Sequence, residues 1–76
     1  MSAPALVSDS VAGFRDAKLW RLPDGRHVVT SYVCMPWAHE TMAFPATADG
    51  HVSDWGDLAC VRGRRAHEEC VAEAAS

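Results

Sequence analysis

Ala17-Lys-Leu-Trp-Arg-Leu22, then Pro23-Asp24-Gly25, then His27-Val-Val-Thr-Ser-Tyr-Val-Cys-Met35 is the stretch that decides the fold. Both flanking runs are rich in β-branched, aromatic and aliphatic residues, which suit a pleated, half-buried surface. Between them Pro presets φ, Asp can bond its own backbone and Gly supplies a positive φ, so the segment reads as a β-hairpin. Its register stays open. A three-residue loop sets Trp20 opposite Val28 and a two-residue loop sets it opposite Val29, and one slip exchanges core for solvent.

Working outward, Pro36-Trp37-Ala38-His39 is expected to break the strand, because Pro36 has no N–H for a ladder. Glu40 to Ala46 reads as a third strand, with Met42 and Phe44 on one face and Thr41 and Ala43 on the other. Ala48-Asp49-Gly50 turns the chain, 52–56 is irregular, and Asp57 to Arg62 offers a short fourth strand. Arg64 to Ala75 is the helical stretch: Ala66, Cys70 and Ala74 recur at spacing four with Val71 beside them. Arg64–Glu68 and Arg65–Glu69 are spaced as i,i+4 pairs, while two arginines at a helix start oppose the dipole and predict fraying. Residues 1–13, rich in Ala and Ser, read as a flexible leader, and 14–76 as a single small domain. The expected fold is α+β, an antiparallel meander of three to four strands with one C-terminal helix packed on it.

Seventy-six residues allow one domain, and an apolar share of 49% implies a packed core. Chains of this size bury only about 60% of their unfolded surface, which favours a partner or another staple. A net charge of −3 argues against phosphate backbones and anionic lipid, which attract clustered positive charge. No segment approaches the roughly 20 apolar residues of a membrane span. Three cysteines with no close pair make a poor disulfide framework, and with no signal-peptide pattern the expected setting is the cytoplasm.

Candidate chemistry is sparse. Cys34-x4-His39 and His67-x2-Cys70 supply zinc-ligand types, yet their spacings match no standard finger or ribbon. Buried, unliganded cysteines at 34, 60 and 70 are the better expectation, and no cofactor is expected. Cys34 with His39 and Asp49 or Asp54 can be drawn as a nucleophilic triad, but no phosphate-cradling loop or nucleophile elbow accompanies it, so the chain is not expected to be an enzyme. Arg62-Gly-Arg-Arg65 is followed at once by Glu68 and Glu69, which makes nucleic acid an unlikely partner. The four histidines, scattered singly, read as surface residues. Trp20, mid-strand, belongs to the core. Trp37 and Trp55 lie in irregular segments: Trp37 reads equally as an interface anchor or a cap folded back on the core, and Trp55 more as a cap. The partner-binding candidates are therefore Trp37, His39 and Trp55.

Leu19-Trp20, Asp24-Gly25, Val28 to Ser31, Glu40 to Ala46, Asp49-Gly50 and Asp54-Trp55-Gly56 occur in an order that resembles small uncharacterised proteins of actinobacteria and their phages. The resemblance covers residues 17–62 and implies an accessory protein of a phage or mobile element, with no activity, cofactor or site residue attached. The expected function is a small non-enzymatic domain that binds a protein partner and can pair with itself. The rival expectation is a zinc-stabilised, nucleic-acid-associated module with Cys34, His39, His67 and Cys70 as ligands.

Overall fold

The computed structural model describes residues 3–64 and 66–76. Five strands, β1 (Ala5–Ser8), β2 (Ala17–Arg21), β3 (His27–Met35), β4 (Ala38–Ala46) and β5 (Ala59–Arg62), precede one helix, α1 (His67–Ala75). Consecutive strands pair antiparallel in the order β1-β2-β3-β4-β5, so the α+β meander stands with five strands rather than three or four. The added strand comes from residues 5–8, inside the stretch expected as a leader, where Leu6 pairs with Trp20 and Ala5 with Arg21. Four residues are too few to show sustained periodicity in sequence; the open edge of β2 orders them.

Trp20 pairs with Val28, the register of the three-residue loop. The N–H of Leu22 donates to the Arg26 carbonyl at 2.7 Å, and that of Gly25 to the Leu22 carbonyl at 2.9 Å. Gly25 holds φ at +94°, where a side chain would be strained, so glycine is what closes this loop. The register sends Trp20, Leu22, Val28, Ala43 and Ala59 to one face, where Cys70, Val71 and Ala74 of α1 cover them. Ala17, Leu19 and Val29 fall on the opposite face, packed with Ala46 of β4 and covered by Val11, Phe14 and Val52. Residues 9–16 and 47–58 thus stand in for a second layer of secondary structure.

Pro36 and Trp37 alone form the break between β3 and β4, and Ala38 and His39 belong to β4. The helix begins at His67, three residues later than the sequence predicts, with Glu68 and Glu69 in its first turn. Acidic residues suit that end of a helix. The expected Arg64–Glu68 pair does not form part of a helix, because Arg64 lies before α1 and its Nε meets Asp16 Oδ2 at 3.1 Å. The Arg65–Glu69 pair lies outside the described residues.

Candidate functional site

β2 pairs with β3 only from His27 to Ser31, whereas β4 pairs with β3 along its whole length. Beyond Ser31 the β3–β4 hairpin therefore runs on as an arm free of β2, edged by β5 as far as Glu40 and two-stranded from there to its tip. Its tip is Trp37, 80% exposed, with Met35 also exposed. Among the described residues no aromatic ring stacks on Trp37. A two-residue turn with Pro at its first position holds the indole on a stiff mount.

Trp55 differs. Its ring lies 5.4 Å from Phe44 and 5.9 Å from Phe14, closing the face opposite the helix, while two-thirds of the residue stays exposed. It is a cap with an open outer side.

On the helix side of the arm, Tyr32, Cys34 and His39 project together, since Cys34 pairs with His39 and Tyr32 with Thr41. The Tyr32 hydroxyl oxygen lies 2.8 Å from His39 Nδ1 and Cys34 Sγ 3.3 Å from the same nitrogen, whose single lone pair accepts from one of them at a time. Arg15, Asp16 and Arg64 close the opposite wall of a groove of about 640 Å³. The Tyr32 backbone N–H donates to the Asp16 carbonyl, which pins residue 16 at the root of the arm. Asp16 adopts a φ of +50°, a left-handed conformation that aspartate tolerates better than most residues. The Arg64 guanidinium stands 5.1 Å over the Tyr32 ring.

Behind this groove lies a buried polar chain. Trp20 Nε1–H donates to Thr30 Oγ1 at 2.9 Å, and Thr30 Oγ1 is 2.7 Å from His67 Nδ1. An indole nitrogen only donates, so Thr30 Oγ1 accepts there, and it donates its own proton to Nδ1 when the imidazole carries its proton on Nε2. In that tautomer the Nε2–H faces Asp16 Oδ1 at 3.5 Å. Ordinary N–H···O bonds span about 2.7–3.2 Å, so this is an electrostatic contact and the donor remains without an acceptor. Burial holds the imidazole below its usual 6.5, with the Asp16 carboxylate pulling the other way.

His67 is therefore not the surface histidine the sequence predicts, because the helix turns it onto Thr30. Nor are all three cysteines buried. Cys70 is, its thiol pushed up to about 12 by that burial. Cys34 and Cys60 are exposed, Cys34 on the arm beyond the reach of β2 and Cys60 on β5 at the sheet edge. Of the four rival zinc ligands, the fold brings Cys34 and His39 together. His67 is engaged by Thr30, and Cys70 Sγ points at the carbonyls of Thr41 and Ala59. Among the described residues no three His, Cys, Asp or Glu side chains gather to hold an ion. The drawn triad is not assembled either: Asp49 contacts His51, and Asp54 accepts from the Gly56 N–H. Sequence reasoning missed Tyr32, Asp16 and Arg64, which the arm and the chain before β2 bring together from distant positions. Among the described residues no helix is long and apolar enough to cross a membrane. Comparison with protein-family models, curated proteins and solved structures finds no match.

Proposed function

We propose that this chain is a small non-enzymatic interaction domain that binds a protein partner through the tip of the β3–β4 arm. The observation that carries the reading is Trp37, 80% exposed on a short proline turn. An indole held in water with no packing of its own gains most by entering a partner's pocket, and such anchors dominate interface energies. His39, on the arm beside Cys34, supplies a polar neighbour, and Trp55 offers its open side on the far face. The domain also pairs with itself in this reading, through β1. That edge strand carries Leu6 and Val7 half-exposed and no charged side chain, whereas charges commonly guard such edges. An accessory role in a phage or mobile element, in a cytoplasmic setting, belongs to the same reading.

The test is retention of host-extract proteins on immobilised chain, compared with a folded Trp37→Ala variant and a Leu58→Ala control. A partner held by the wild type and the control but released by Trp37→Ala supports the reading, with a loss of about 2 kcal/mol in affinity. Equal retention by Trp37→Ala counts against it.

A further inference from the structure

The three cysteines stand in different chemical surroundings. Cys70 is buried and its thiol is held to about 12. Cys60 is exposed, but partial desolvation and then the neighbouring Glu40 carboxylate raise its thiol. Cys34 is exposed with an imidazole nitrogen 3.3 Å from its sulfur. It also opens into the groove whose far wall holds Arg15 and Arg64 against a single carboxylate, Asp16. Two guanidiniums against one carboxylate leave this wall positive on a chain whose net charge is −3.

A second observation points to an occupant. A separate cleft of about 370 Å³ shares Asp16 and Arg64 with this groove and is lined also by Lys18, His67 and Glu68. His67, only 5% exposed, lines this cleft, and its buried Nε2, 3.5 Å from Asp16 Oδ1, makes no hydrogen bond. A buried polar nitrogen without a partner is costly, and with its proton on Nε2 it is a donor suited to a carboxylate oxygen.

We propose that Cys34 is a site of thiol–disulfide exchange with small disulfides that carry carboxylates, glutathione disulfide being the type. His39 Nδ1 takes the proton of the Cys34 thiol, and the thiolate attacks one sulfur of the incoming disulfide. The new bond joins Cys34 to that sulfur while the old S–S bond breaks. The departing thiolate takes the proton back from His39 and leaves as a free thiol. One disulfide is consumed, one mixed disulfide and one thiol form, and no other electron donor or acceptor is needed. Acyl transfer would require donors for an oxyanion as well; displacement at sulfur needs only a thiolate, a base and open access. Arg15 and Arg64 receive the carboxylates. The reaction is a modification of the isolated chain and does not depend on the partner reading.

The test is intact-mass and peptide-mapping kinetics of the full chain with glutathione disulfide and, in parallel, the neutral hydroxyethyl disulfide. Cys34 is expected to form its mixed disulfide about tenfold or more faster than Cys60, and His39→Gln to slow Cys34 about tenfold. Added salt is expected to slow glutathione disulfide and leave the neutral reagent unaffected. In urea the preference for Cys34 over Cys60 should vanish, which serves as the control should His39→Gln fail to fold. Equal native rates at the two cysteines, or a preference that persists in urea, overturns the site. An unchanged rate in folded His39→Gln removes the base, and salt-insensitivity removes the anionic ligand.

Discussion

Thr30 Oγ1 lies 2.7 Å from His67 Nδ1, and through this contact the central strand holds the first turn of the helix. Ala66, the N-cap residue, makes no side-chain cap bond, so the helix start relies on what His67 grips. Thr30 is fully buried and also accepts from Trp20. One hydroxyl thus satisfies two buried groups from two other elements.

Thr30→Val keeps the shape and removes the hydroxyl, leaving the Trp20 N–H and His67 Nδ1 buried without partners. The expected loss is about 2–4 kcal/mol of unfolding free energy, read from urea denaturation. A loss under about 0.5 kcal/mol would show that water or rearrangement replaces the hydroxyl.

Much of this architecture is legible in the chain. Pro23-Asp24-Gly25 between two β-rich runs fixes the first hairpin, and the spacing of Cys70 and Ala74 places the helix face. Residues 5–8 are not legible, since their order comes from pairing with β2 rather than from their own pattern. His67 is misread because nothing near it in sequence announces Thr30, thirty-seven positions away. The groove is hidden for the same reason: Asp16, Tyr32, His39 and Arg64 meet only once the arm and the pre-helix segment are folded. Trp55 reads in sequence as a cap more than Trp37 does, and the rings of Phe14 and Phe44 are what it caps.

Stability should fall with acid in a window set by His67. Its folded value lies below the usual 6.5, so the unfolded chain binds the proton first as pH drops. The contribution is complete above 6.5 and is lost as pH falls from there through the folded value, each unit of difference being worth about 1.4 kcal/mol. Asp24 and Asp49, held below 3.8 chiefly by hydrogen bonds from Arg26 and Thr47, titrate at lower pH. Urea midpoints across this window should slope for the wild type and flatten in folded His67→Gln. A slope retained by that variant would assign it elsewhere.

Thiol counting separates the cysteines without a ligand. In the native chain an alkylating reagent should modify Cys34 and Cys60, while Cys70 reacts only after unfolding. Rapid modification of all three would mean that the helix opens far more readily than its packing implies.

Leu6 projects from the uncharged edge strand and tests self-pairing. Leu6→Lys and Leu6→Glu should each shift the chain toward monomer by light scattering, through like-charge repulsion across the new seam. An equimolar mixture should recover a mixed dimer, which simple unfolding would not produce. Unaltered association in both variants would move the seam off β1.

Native mass spectrometry of the full chain, over a concentration series and without added metal or chelator, tests most directly whether this is an interaction domain, because it needs no knowledge of the partner. The account predicts a metal-free dimer whose fraction grows with concentration. A chain that stays monomeric throughout, above all one carrying a zinc ion, would contradict it.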